Sequence, residues 1–203
     1  MSQRNQQQCT AFEGFRCVAS GGLTDVVLKT KSVIDRNDRA PVLIFDDVTS
    51  ELIEVDFRGT ADDVLHRLAE AANNSSTSGS DRANHQPPRG RGRPKLGVVG
   101  REVTLLPRHW DWLNAQPGGA SVALRKLVEQ ARRSNGGRDD KRRAQEAAYR
   151  FMSHIAGNLR DFEEATRALF AADGEFFNEK ISSWPEDIRD HASKLAAAAF
   201  QKG

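Results

Sequence analysis

The chain has 203 residues, 38% of them hydrophobic and 29% charged, with a mean hydropathy of −0.62 and a formal net charge of +2. That length suits one large domain or two small ones. No run of ~18 apolar residues exists to cross a bilayer, the first residues lack the apolar core of a signal peptide, and two cysteines, Cys9 and Cys17, cannot form a disulfide framework, so a reduced, cytoplasmic setting is expected.

Residues 1–10 are polar and Gln-rich, and read as a loose N-terminus. From Ala11 to Phe57 the pattern is β-like, with Val26, Val27 and Leu28 as one apolar run. Residues 41–45 and 52–57 predict two strands, and the five residues from Asp46 to Ser50 are short enough for a hairpin. In the second strand Ile53, Val55 and Phe57 alternate with Leu52, Glu54 and Asp56, as in a sheet wet on one face. Thr60 starts a helix, with Asp63 three residues on as an imperfect capping box and Val64, Leu65 and Leu68 as its stripe. Residues 11–72 thus predict a small α+β domain.

Residues 73–96 form a polar, basic tether that cannot bury enough surface to offset the entropy of ordering it, and read as a flexible linker. Residues 101–106 make a short alternating strand candidate, and Pro107 starts a helix whose Trp110 and Leu113 share a face. Pro117, Gly118 and Gly119 end it, and Ser121 is placed to cap the next, striped by Leu124, Leu127, Val128 and Ala131. Residues 97–134 form this segment. Ser134, Asn135, Gly136 and Gly137 break the chain, and Asp139 or Asp140 caps a long helix striped by Ala144, Ala147, Ala148, Phe151, Met152 and Ile155. Gly157 and Asn158 end it. A helix carrying Phe162, Leu169 and Phe170 stops at Gly174, and the last begins near Trp184 and Pro185 with Ile188, Ala192, Leu195 and Ala199 inward. Residues 138–203 are therefore a helical C-terminal region, and the fold class is α+β: a small strand-hairpin-helix unit, a basic linker, then a short strand and a mostly helical remainder.

The modest net charge hides a strong division. Residues 1–81 carry 8 Lys/Arg against 13 Asp/Glu, residues 82–150 carry 16 against 6, and residues 151–203 carry 6 against 9. A centre of +10 between flanks of −5 and −3 points toward a polyanion. Its sharpest feature is Arg89-Gly90-Arg91-Gly92-Arg93-Pro94-Lys95, which resembles an AT-hook. In that motif glycine lets the backbone lie on the floor of a narrow minor groove, and the flanking arginines extend into the negative potential of A·T tracts. The resemblance implies that Arg91, Gly92, Arg93 and Pro94 enter the groove while Arg89 and Lys95 reach phosphates. Gly90 stands where a proline is common.

Strand, proline-started helix, glycine turn and helix, in that order, resemble a ribbon-helix-helix domain. The resemblance implies a homodimer whose paired strands enter the major groove. Val103 and Leu105 would face the core, leaving Glu102, Thr104 and Leu106 outward with Arg101 at the strand's start, and Ser121 would offer the second helix's N-terminus to a phosphate. Arg101, Thr104, Ser121 and Arg125 are the residues of this segment expected at the DNA. Residues 92–97, running on through Val103 to Trp110, are similar to a bacterial family of uncharacterised proteins, which implies a bacterial setting and no particular activity.

Catalytic signals are missing from the motifs. His66, His85, His109, His154 and His191 make no metal spacing, and no phosphate loop or nucleophile elbow occurs. Asp46-Asp47 reads as a turn, Glu163-Glu164 as a solvated pair, and Trp110, Trp112 and Trp184 as core. No catalytic, cofactor or metal residue is expected. The expectation is a DNA-binding regulator or nucleoid-associated factor without enzymatic activity, on A·T-rich DNA in the bacterial cytoplasm. A protein-interaction adaptor with a passive linker and an RNA-binding protein are the alternatives.

Overall fold

The computed structural model describes residues 7–36, 41–77, 99 and 101–201. It divides into two compact units, one of Met1–Ser80 with Arg138–Gly203, the other of Asp81–Gly137. The first holds three antiparallel strands, β1 (Gln8–Glu13), β2 (Arg16–Gly22) and β3 (Val42–Asp46), in the order β2-β1-β3. Its helices are α1 (Leu23–Ile34), α2 (Ala61–Thr77), the C-terminal stretch of α4 (Gly119–Ile155), α5 (Phe162–Ala171), α6 (Gly174–Ile181) and α7 (Glu186–Ala196). The second unit holds α3 (Pro107–Asn114) and the N-terminal stretch of α4. The α+β class stands.

The central strand explains the layering. Successive side chains of a strand point to opposite faces, and in β1 all of Cys9, Thr10, Ala11 and Phe12 are buried, so both faces are covered. Ala11, with its register partners Ala19 and Ile44, shares a core with Leu23, Val26, Val27 and Val64 from α1 and α2. Phe12 and Phe45, on the opposite face, join Phe151, Met152, Leu169, Phe177, Ile181 and Ile188 from the C-terminal helices. Residues 11–72 and 138–203 therefore bury one aromatic core together. Gly14, at φ +56, makes the two-residue turn that pairs β1 with β2.

Several elements differ from expectation. The N-terminus is not loose as far as residue 10, because β1 begins at Gln8 and Cys9 is fully buried. Val26, Val27 and Leu28 lie in a helix: Leu23, Val26, Val27 and Thr30 point inward at helical spacing while Leu28 faces out. Residues 52–57 make one bridge, Leu52 to Phe45, and then leave the sheet. Ile53, Val55 and Phe57 still pack inward as their alternation requires. Further on, the Asp56 carboxylate takes the Arg58 backbone N–H at 3.1 Å and its guanidinium at 2.7 Å. The capping box forms, with Thr60 N–H donating to Asp63 at 2.8 Å and Asp63 N–H to Thr60 Oγ1 at 3.3 Å. Its helix runs on to Thr77, into the segment read as linker.

Residues 134–137 do not break the chain, and α4 passes straight through Gly136 and Gly137. Two helical glycines cost about 2 kcal/mol, which the strong helix formers on either side offset. Asp139 and Asp140 therefore sit inside the helix, paired with Arg142 at 3.1 Å and with Arg143, instead of capping it. The stripe from Ala144 to Met152 is buried as expected. Gly174 does not follow a helix but opens α6, an element the sequence does not announce, after the left-handed Ala172 ends α5. Asp173 caps α6 by accepting from Phe176 N–H at 3.0 Å.

His191 stands within the aromatic core, 7% exposed, its ring 4.6 Å from Phe151 and 5.2 Å from Phe12. Burial pushes its pKa down from 6.5 to about 4, against the pull of Asp47 and with a further push from Lys194. The unfolded chain thus binds this proton more readily than the folded one, so the stability His191 permits is complete above pH 6.5 and is lost as pH falls toward 4. The unfolding free energy should drop by about 3 kcal/mol across that window from this group. Denaturant midpoints measured at several pH values check it, and His191→Leu should flatten the same stretch of the profile.

Candidate nucleic-acid interface

The second unit carries four of the described site residues. Arg101 and Thr104 are exposed, in a stretch (101–106) that joins no β-ladder among the described residues. Val103, expected in the core, is 52% exposed, with no sheet among the described residues for it to pack into. Pro107 does open α3, and Leu113 is buried beneath it while Trp112 faces solvent. The turn onward needs Gly118 at φ +89, where a side chain would also press on Val122 at 3.1 Å. Because α4 begins at Gly119, Ser121 lies inside the first turn and does not cap it. Its hydroxyl and carbonyl instead receive Arg125, at 3.0 Å and 3.1 Å, which folds that guanidinium back along the helix.

What the helix does with its other bases is more telling. Arg125, Lys126, Arg132 and Arg133 are all exposed, and at ~100° per residue they fall within a sector of about 120°. They span about 12 Å of helix axis. One acid stands among them, Glu129, held by Arg133 at 3.3 Å. Lys126 and Arg132 have no acidic partner among the described residues. Further along, Arg142 and Arg143 are each paired with an aspartate one turn back, and Arg142 also reaches Glu146 at 3.8 Å, while Arg138 and Lys141 have no acidic partner among the described residues. The bases at residues 125–133 are thus the densest sector, and unpaired charge continues beyond it at Arg138 and Lys141. Sequence reading singles out Arg125 from this helix. The spacing i, i+1, i+7, i+8 is the signal that would have added Lys126, Arg132 and Arg133.

Beside the basic sector runs the stripe expected to form a core. Leu127 is 42% exposed and Val128 64%, with Ala131 also open. Arg89, Arg91, Gly92, Arg93, Pro94 and Lys95 lie outside the described residues.

Residues 8–196 match the model of a family described as "Uncharacterized protein conserved in bacteria (DUF2239)". The chain belongs to this family. No curated protein and no solved structure matches it. The DUF2239 match opens at the start of β1 and closes at the end of α7, so it takes in the shared aromatic core, the Arg-Gly-Arg-Pro segment and the basic sector of α4. Among the described residues of this DUF2239 chain no helix is long and apolar enough to cross a membrane.

Proposed function

We propose that this chain is a DNA-binding protein, a regulator or nucleoid-associated factor, that holds the duplex through its phosphates. The observation that carries the reading is the cluster of four exposed bases around a single acid on α4, in the same basic stretch of sequence as the AT-hook-like arm. Neutralising phosphates releases condensed counterions and binds any sequence, while arginines in a minor groove add a preference for A·T tracts. A second copy covering Leu127 and Val128 would make a homodimer and double the bases on one duplex, with gain through effective concentration.

Binding to A·T-rich and G·C-rich duplexes at two salt concentrations tests this. With ~6 cations on phosphates, log affinity should fall against log salt with a slope near −5. Arg91→Ala with Arg93→Ala should erase the A·T preference and leave the melting temperature unchanged. Equal weak binding of the unaltered protein to both duplexes would contradict the minor-groove role, and preferential competition by single-stranded RNA would move the assignment to RNA. Exposed Leu127 and Val128 favour a second reading, a protein-interaction adaptor. A protein partner retained after nuclease treatment would support it.

A further inference from the structure

The C-terminal stretch of α4 carries a second face beside the one it gives to the core. Its buried stripe holds Ala144, Ala147, Ala148 and Phe151. At ~100° per residue, Arg138, Lys141, Gln145 and Tyr149 fall within about 80° on the flank of that stripe. All four belong to the first unit. Tyr149 is 42% exposed, and Phe170, in the last turn of α5, is 52% exposed, although their ring centroids lie 5.6 Å apart at 59°. Aromatic rings have the most area to gain by burial, and this pair leaves about half of it open.

Both rings stand on fixed ground. Ala147 and Ala148 place Tyr149 from the core side of α4, and Ala168 and Leu169 do the same for Phe170 in α5. Gln145, one turn before Tyr149, donates its Nε2–H to the Leu169 and Phe170 carbonyls at 2.9 Å and 3.3 Å, which ties the end of α5 to α4. A platform already rigid loses little conformational freedom when it is covered.

The charge on the same face selects the cover. Asp139 and Glu146 hold Arg142, and Asp140 holds Arg143, which leaves Arg138 and Lys141 without an acidic partner among the described residues. Along the helix axis Lys141 lies about 12 Å and Arg138 about 16 Å from Tyr149. Aromatic faces for bases, with cations tracking the backbone beside them, are the two requirements of single-strand binding. A duplex leaves the rings unused, since its bases already stack on one another. An apolar peptide would cover the rings and leave both cations idle. Neither contact needs a ribose hydroxyl, so DNA suffices.

We propose that Tyr149 and Phe170 form a stacking platform for an unpaired base of single-stranded DNA, with Arg138 and Lys141 on the phosphates beside it. The proposal is independent of the basic sector at residues 125–133 and of whether that sector holds a duplex.

Fluorescence anisotropy of the full chain tests it, with oligothymidine of ~15 nucleotides against an abasic strand of equal length and charge. Oligothymidine should bind about 10-fold more tightly. Tyr149→Leu with Phe170→Leu should remove that advantage and leave the salt slope, because leucine fills the space without a stacking face. Arg138→Gln with Lys141→Gln should keep the advantage and make the slope shallower by about 1.4. Lys126→Gln with Arg132→Gln and Arg133→Gln should also keep it, which separates failure here from failure of the duplex reading. Tyr149 is the chain's one tyrosine, so in the unaltered protein its ring protons should move upfield with oligothymidine and stay put with the abasic strand. Equal affinity for the two strands, unmoved Tyr149 protons, or an advantage that survives the leucine pair would overturn the proposal. Oligouridine bound about 10-fold more tightly than oligothymidine would overturn it in favour of RNA. If the leucine pair does not fold, the Tyr149 resonances decide.

Discussion

Phe151→Ala should lower the unfolding free energy by about 4 kcal/mol, the usual loss for a fully buried phenylalanine. Phe151 is fully buried and touches three rings from three elements: Phe12 of β1 at 5.3 Å, Phe45 of β3 at 5.1 Å and His191 of α7 at 4.6 Å. Truncation removes the apolar area of the ring and leaves a cavity that the surrounding Phe12, Phe45 and Met152 cannot all close. In melting temperature the loss is about 10 °C. The matching control is Phe170→Ala, at a ring 52% exposed beside Tyr149, which should cost less than ~1 kcal/mol. Because the core joins residues 11–72 to 138–203, the fluorescence of buried Trp184 and the far-ultraviolet signal should move together in one transition. Two separated transitions, with only the later chain weakened, would contradict the shared core.

A triple variant, Lys126→Gln, Arg132→Gln and Arg133→Gln, should bind duplex DNA on the order of 10²-fold more weakly at ~0.1 M salt, with the salt slope shallower by about 3. Each phosphate contact contributes ~0.9 to that slope, so the slope counts contacts where affinity alone does not. All three side chains are exposed, and among the described residues the one ion pair broken is Arg133 with Glu129, worth about 0.5 kcal/mol or less, so folding is unaffected. Arg142→Gln is the control, since its charge is already met by Asp139 and Glu146. The triple variant retaining the slope of the unaltered protein would remove α4 from the interface. Together with the Arg91 and Arg93 changes, which act on A·T preference, this separates affinity held by the helix from preference held by the arm.

The expectations that held are those in which a local signal and the burial demand agree. Thr60 and Asp63 satisfy each other's backbone N–H whatever surrounds them, Pro107 lacks the donor that a first helical turn leaves free, and the stripe from Ala144 to Met152 has no other face to bury. The expectations that failed are those in which two periods fit the same residues. Val26, Val27 and Leu28 suit a strand until Leu23 and Thr30 are counted with them, and Gly136 and Gly137 suit a break until the helix formers on both sides carry the helix across. The basic sector of α4 was half legible: Arg125, Lys126, Arg132 and Arg133 read as lying mainly off the apolar stripe of their helix, but only Arg125 was expected at the DNA. The contact of the Cys17 backbone N–H with Asp187 was illegible, because the two residues are 170 positions apart.

By itself, then, the chain determined its charge division, the Thr60–Asp63 capping box and the buried stripe from Ala144 to Met152, since these depend on neighbours within a turn or two. Only the tertiary structure decided that the first and last thirds share one sheet-and-helix core, that the stripe of Leu127 and Val128 stays open, and which bases of α4 lack a counter-charge. Those outcomes depend on which distant surface reaches a residue first, and burial of an apolar side chain is non-directional until a packed partner selects its place.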